Sequence, residues 1–287
     1  MVVSKKSKTL ILQDYQYKMA NKLGIGVFAY NRPSHLKRVL FSLNYLKIRD
    51  FTLFVDGPKN SIDRVNNKTI NFIAKEMNKS GSRIIIKNHS INNGLKKSII
   101  TGCDYLSKNY DSFIVIEDDC VIYENFFNYM KNNLKKNIFS KNNLGAICGF
   151  QFNEIERKYN DLSSLKVTHF IPWGWGTMSD IWLKFRNSDE KKLLSPKYLS
   201  KYSKNQDIWS KNFIDFNYTN NFNFLSPTIN LVKNIGFDGT GINSHPSVEF
   251  NTKEKKPKRL NINIINEIKK IDNQHSNLLN KKVELFY

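Results

Sequence analysis

The residues Phe113-Ile114-Val115-Ile116-Glu117-Asp118-Asp119 constrain the fold of this chain more than any other stretch. Four apolar residues, three of them β-branched, run straight into three consecutive carboxylates. An apolar run this short, bounded by polar residues, reads as a buried central strand of a parallel sheet. Three neighbouring acids repel one another unless a cation or a donor-rich ligand sits among them. In open α/β sheets the ligand crevice lies beyond the carboxyl ends of the strands. The stretch therefore sets a candidate divalent-metal site where such a fold carries its ligand. The competing reading is an acidic strand-to-helix turn, with Asp118 or Asp119 capping a helix that begins near Tyr123.

The flanking sequence repeats strand and helix in alternation. Gly24–Tyr30 reads as a first strand, followed by Asn31-Arg32-Pro33 and a helix whose Leu36, Val39, Leu40 and Leu43 recur at helical spacing. Phe51–Val55 is a second strand ending at Asp56-Gly57-Pro58, and Ile70, Ile73, Ala74 and Met77 mark a second helix. Arg83–Ile86 is a third strand. Asn92-Asn93-Gly94-Leu95 opens a third helix through Ile99, Ile100, Cys103 and Leu106. After the acidic strand, a fourth helix is centred on Phe126, Tyr129, Met130 and Leu134. This alternation predicts an α/β fold with a doubly wound, mostly parallel, Rossmann-like sheet. Beyond Gly145–Gly149 aromatic residues become dense and Asn-rich loops lengthen, which predicts an acceptor-facing extension continuous with the first half.

Residues 1–22 read as a basic arm, 23–250 as one domain divided into halves near 150, and 251–287 as a tail that is basic and then amphipathic through Ile262, Ile264, Ile265 and Ile268. The net charge is +20, with Lys and Asn spread over the whole chain. No zinc-finger spacing, aromatic RNA-binding run or basic heptad accompanies it, which argues against nucleic acid as a partner. An anionic membrane surface stays open as a peripheral contact. Cys103, Cys120 and Cys148 are odd in number and scattered, so a reducing, cytoplasmic setting is expected. No apolar run reaches the roughly 20 residues that cross a bilayer.

Three strand ends converge in this scheme: Asn31-Arg32, Asp56-Gly57 and Glu117-Asp118-Asp119. An arginine suits a phosphate through paired hydrogen bonds, and an aspartate at a neighbouring strand end accepts from a base or a ribose. A divalent cation on the third cluster would offset charge on a leaving phosphate. Together they describe a site for a nucleoside diphosphate. Neither G-x-G-x-x-G after the first strand nor a Walker A loop is present, which disfavours dinucleotide-binding folds and excludes P-loop NTPases.

The set Phe28-Ala29-Tyr30-Asn31-Arg32-Pro33, Asp56-Gly57, Asn93-Gly94-Leu95, Glu117-Asp118-Asp119 and Trp173-Gly174-Trp175-Gly176-Thr177 resembles nucleotide-sugar glycosyltransferases of the GT-A fold. Within that fold it is most similar to a bacterial group related to N-acetylglucosaminyltransferase I, over about residues 24 to 245. The resemblance implies that Asp119 binds Mn²⁺ (or Mg²⁺) and that Glu117 and Asp118 face the sugar and ribose. It also implies that Arg32, Asp56 and Asn93 hold the nucleotide. Trp173, Gly174 and Trp175 are expected at the sugar or acceptor, since indoles stack on sugar faces; two core tryptophans with turn glycines is the alternative. Asp207, in Gln206-Asp207-Ile208-Trp209, is the expected catalytic base and Asp180 the runner-up, although an aromatic often precedes this Asp in the family. His245, after Leu231–Phe237 and Asp238-Gly239-Thr240-Gly241, would contact the diphosphate or complete the metal shell.

The expected activity is metal-dependent, inverting transfer of a sugar (a hexose or N-acetylhexosamine) from a nucleoside diphosphate to a hydroxyl. The expected acceptor is a glycan or lipid-linked glycan of surface polysaccharide or lipopolysaccharide assembly. A sugar nucleotidyltransferase and a noncatalytic nucleotide-sugar-binding protein are the alternatives.

Overall fold

The computed structural model describes residues 22–151, 162–196 and 209–238, together with the backbone of a two-residue strand at 264–265. Asp207 and His245 lie outside these residues, as do the basic arm apart from Lys22 and the tail apart from that short strand.

The first half alternates as the periodicity predicts. β1 (Leu23–Ala29), α1 (Pro33–Tyr45), β2 (Asp50–Val55), α2 (Ser61–Lys79), β3 (Arg83–Asn88), α3 (Gly94–Asn109) and β4 (Ser112–Glu117) succeed one another in order. Pro33 sits in the first turn of α1, where its missing N–H costs nothing. The predicted stripe of Leu36, Val39, Leu40 and Leu43 is the buried face of α1. Asn60 caps α2 by accepting from the Asp63 N–H at 2.9 Å. Phe113, Ile114, Val115 and Ile116 of β4 are all buried, which is the environment a continuous apolar strand requires.

No helix begins directly after β4. The short strand β5 (Cys120–Ile122) comes first, and α4 (Phe126–Asn133) starts only after Asn125, so neither Asp118 nor Asp119 caps a helix. The rest comprises α5 (Lys136–Asn142), β6 (Leu144–Cys148), β7 (Ser164–Val167), β8 (Trp175–Met178), α6 (Ser179–Arg186), a 3₁₀ turn at Glu190–Lys192, α7 (Trp209–Thr219), β9 (Asn223–Pro227), β10 (Val232–Asn234) and β11 (Ile264–Ile265). Nine strands form one sheet in the order β11-β7-β9-β6-β8-β4-β1-β2-β3. β3, β2, β1 and β4 are mutually parallel, and β6 is parallel to β9. β8 runs antiparallel between β4 and β6, and β7 antiparallel to β9. The architecture is thus a mostly parallel, Rossmann-like α/β sheet flanked by helices. β5 and β10 pair separately as an antiparallel ribbon.

The second half packs around an aromatic cluster. Trp175 stacks on Trp209 at 5.3 Å between ring centres and meets Phe170 and Phe213, while Phe113 of β4 lies edge-on to both Trp175 and Trp182. The three cysteines are buried and unpaired. Among the described residues no helix is long and apolar enough to cross a membrane.

Candidate active site

From β1 the chain steps outward through β2 and β3, and α3 then returns it to β4 on the other side of β1. Strand order reverses between β1 and β4, so the crevice of an open α/β sheet falls at their carboxyl ends. The register pairs Phe28 with Glu117. Tyr30-Asn31-Arg32 and Asp118-Asp119 therefore leave the sheet side by side. The Tyr30 N–H points at Asp118 Oδ2 at 3.4 Å, and Arg32 Nη2 donates to both Asp118 Oδ1 and Asp119 Oδ2, the latter at 2.8 Å.

This is a charge imbalance. Three carboxylates face one guanidinium in a site that excludes most water. Burial first, then the neighbouring Asp119 and Asp118, push Glu117 up to about 8, against the opposing pull of Arg32. Burial likewise raises Asp118, to about 6, although Arg32 works to lower it. Burial opposes the charge on Arg32 as well, but Asp118 and Asp119 outweigh it and hold the guanidinium above its ordinary value. Among the described residues, the Glu117 carboxylate takes part in no hydrogen bond.

Asp119 is fixed from behind. The β5–β10 ribbon pairs Cys120 with Asn234, and the Ile235 N–H donates to the Asp119 carbonyl at 2.8 Å. That turn lays Gly236 against the Asp119 carboxylate so closely that a Cβ there would collide with Oδ2. Among the described residues, Asp119 Oδ1 meets only the weak Cys120 thiol donor, at 3.5 Å. Among the described residues no three His, Cys, Asp or Glu side chains form a metal cage. Mg²⁺-like ions, however, are commonly held by one or two carboxylates with substrate phosphates and water completing the shell. The oxygen-only donors Asp119 Oδ1 and Glu117 fit that arrangement.

Asp56, at the end of β2, is buried and heavily engaged. Its oxygens accept from the backbone N–H groups of Gly57, Asn93 and Gly94, each at 2.9 Å, and from Asn92 Nδ2 at 3.0 Å. It therefore clips the loop that starts α3 onto the end of β2. The Asn93 side chain contacts His89 Nδ1 at 2.7 Å. Beside the crevice, Tyr30 Oη and Asn31 Nδ2 donate to Asp63 at 2.5 and 2.7 Å. The Tyr30 and Asn31 bonds hold the Asp63 carboxyl below its usual range, and burial followed by the Asp63 bond pushes the Tyr30 phenol up to about 12. His35 of α1 lies 3.1 Å from Asp238, next to the Gly236 turn.

Two expectations need correcting in physical terms. The Trp175 indole has no open face: it is 0 % exposed and enclosed by rings. Trp173 is buried too, between Phe150 and Phe237. Gly174 adopts φ +57°, and a Cβ there would come within 2.6 Å of Val232, so chain packing accounts for this glycine. Asp180 is displaced as well. Met178 pairs with Ser112, at the start of β4, and Asp180 succeeds it on α6. Five strand steps of about 3.3 Å separate that edge from Glu117, far beyond the reach of a base.

Sequence reasoning missed Asp63 and His35, and it placed Tyr30, Asn31, Gly236 and Asp238 within longer motifs without the partners they have here. No local signal marks these pairings, which join Tyr30 and Asn31 to Asp63 and His35 to Asp238 across distant segments.

No family model matches the chain, and no curated protein matches it. Three solved structures share some of its course. A mannosyltransferase from Pyrobaculum calidifontis, in complex with GDP-Man and Mn²⁺, is 8 % identical with a TM-score of 0.42 over 60 % of this chain and 48 % of its own. This chain thus spans about half the length of that enzyme. The inositol-1-phosphate CTP transferase of T. maritima is 10 % identical, with a TM-score of 0.38 over 72 % of this chain and 85 % of its own. A197 from STIV is 11 % identical, with a TM-score of 0.35 over 73 % and 83 %.

Proposed function

We propose that this chain is a metal-dependent glycosyltransferase that moves a sugar from a nucleoside diphosphate to a hydroxyl acceptor. One observation carries the reading. Three carboxylates meet a single guanidinium at the strand-order reversal, and Glu117 and Asp118 are held well above their ordinary pKa values. Such a cluster favours a cation, and the crevice it borders is where α/β sheets bind nucleotides.

In this reading Asp119, with Glu117 beside it, would hold Mn²⁺ or Mg²⁺, which would supply positive charge to the departing diphosphate. Arg32 steadies Asp118 and Asp119 and faces the phosphates. Asp118 and Glu117 face ribose and sugar. Asp56 acts by shaping the Asn92–Gly94 loop against the nucleoside, with Asn93 at its surface. Asp207 takes the proton of the acceptor hydroxyl, and direct displacement with this one base would invert the anomeric carbon. Trp173 and Gly174 back the crevice wall. His245 joins the diphosphate. The acceptor is a glycan or lipid-linked glycan of surface-polysaccharide assembly, met on the cytoplasmic side.

Melting temperatures across nucleoside diphosphates and their sugars, with and without Mn²⁺, test this for the wild type and Asp119→Ala. A ligand bound only by the native state raises the midpoint, by about 2.7 kcal/mol of stability at a hundredfold excess over Kd. The expected result is a Mn²⁺-dependent rise with one nucleotide, absent in Asp119→Ala, and release of that nucleoside diphosphate when an acceptor is added. No rise with any nucleotide refutes the reading. A rise without turnover indicates a binding protein, and pyrophosphate release from a nucleoside triphosphate and a sugar phosphate indicates a nucleotidyltransferase.

A further inference from the structure

Helices α1 and α2 pack side by side on one face of the sheet, and their outer faces are apolar and basic. Phe41 and Tyr45 on α1, with Ile62, Val65 and Phe72 on α2, are 60–76 % exposed. Phe41 and Tyr45 are four residues apart, and Ile62, Val65 and Phe72 three and then seven, so each set falls on one face of its helix. The other exposed large apolar side chains among the described residues are scattered over β3, α3, α6, α7 and loops. Only on α1 and α2 do they gather. Lys37 and Asn44 of α1 and Phe72 and Met77 of α2 line an open groove between the two helices, so Phe72 of the α2 stripe borders α1.

The charges on this surface are predominantly basic. Lys37, Arg38, Lys68, Lys75 and Lys79 are exposed along the same stripes. The two helices hold only two acids. Asp63 is buried in its hydrogen bonds to Tyr30 and Asn31, and Glu76 is paired with Lys79 at 2.7 Å. A protein partner would need a patch both acidic and apolar. A bilayer with anionic headgroups supplies both properties at once, with aromatic rings seated at the headgroup boundary and lysines drawn to the surface charge. The net charge of +20 acts in the same direction.

We infer that the α1–α2 face is a docking surface for an anionic membrane, with Phe41, Tyr45 and Phe72 inserted at the headgroup level and the lysines against phosphates. α1 begins beside Arg32 and α2 comes just after the end of β2, so the face starts at the crevice edge of the sheet. Docked this way, the crevice opens beside the bilayer. That last consequence rests on the transferase reading, since it lets a lipid-carried acceptor reach the site from the membrane. The docking itself does not, because it needs neither nucleotide nor metal.

Vesicle flotation of the full chain tests the inference. Phosphatidylcholine vesicles are compared with vesicles carrying about 30 % phosphatidylglycerol, at about 0.1 and about 0.5 M NaCl. The wild type is expected to float with the anionic vesicles alone and to be released by salt. Lys68→Glu/Lys75→Glu and Phe41→Ser/Phe72→Ser are each expected to weaken binding about tenfold or more. These side chains are exposed, so far-UV circular dichroism and melting should match the wild type. Absence of wild-type binding to anionic vesicles overturns the inference. So does unchanged binding in both variants, which assigns the attraction to other basic segments such as 253–259. A concentration-dependent dimer abolished by the same substitutions also overturns it, and makes the face a contact between copies.

Discussion

Arg32→Met removes the guanidinium that ties Asp118 to Asp119 while keeping most of the apolar stem. The side chains of Arg32 and Asp118 are 20 % and 6 % exposed, and that of Asp119 is 14 % exposed. Breaking a buried ion pair from one side costs roughly 3–5 kcal/mol, because the partner stays behind uncompensated. Two carboxylates lose their partner here, but both retain some contact with solvent, so about 3 kcal/mol is expected near pH 8. At about 2–4 °C per kcal/mol, the melting temperature falls by about 6–12 °C.

The pH dependence sharpens this prediction. Glu117 and Asp118 have folded-state values of about 8 and about 6, above their ordinary 4.5 and 3.8. The folded protein therefore binds more protons than the unfolded chain across that window, and stability falls as pH rises through it. Loss of Arg32 raises both values further and steepens the slope. Melting in EDTA at about pH 5.5 and about pH 8 should show a smaller penalty at the lower pH than at the higher. Equal penalties at the two pH values, or none near pH 8, would refute the electrostatic account of the cluster.

Other substitutions separate site from scaffold. Trp175→Ala should cost about 3–5 kcal/mol by emptying the aromatic core, and the milder Trp175→Phe, measured by nucleotide titration, should leave affinity within about twofold. Gly236→Ala forces the Asp119 carboxylate aside; it should weaken Mn²⁺-dependent nucleotide binding in calorimetry while removing no ligand group. Asp180→Asn, on the far edge of the sheet, should leave both binding and turnover unchanged in the same assays. Asp63, held below the usual carboxylate range by Tyr30 and Asn31, stabilises the fold above about pH 4 and loses that contribution as pH falls further; in acid titrations Asp63→Asn should flatten that limb.

The sequence makes the first four strands and the acidic crevice legible because their signals are local. A buried central strand is apolar along its whole length, and the crevice must lie at its carboxyl end. Pairing partners are not local. Asp56-Gly57 reads as a turn with an available carboxylate, and only the return of Asn92–Gly94, 36 to 38 residues later, shows that carboxylate occupied by donors. The tryptophan loop misleads for a related reason. Trp and Gly in alternation serve a ligand or a tight core equally well, and the choice depends on Phe113, Phe170 and Trp209 arriving from distant segments. The direction of β8 has no sequence signature at all, yet it decides that Asp180 faces the wrong edge.

The antiparallel insertion of β8 also bears on how the chain is made. β4 pairs with β1 on one side and with β8 on the other, and β8 lies 58 residues beyond Glu117. At roughly 5–20 residues per second of synthesis, the outer edge of Phe113–Glu117 stays open for about 3–12 s. An open apolar edge is a template for another strand. A nascent chain paused before residue 175, or a fragment cut near 150, would carry that edge permanently and should recruit copies of itself. Only with β8 in place does the sheet stop being adhesive at its centre.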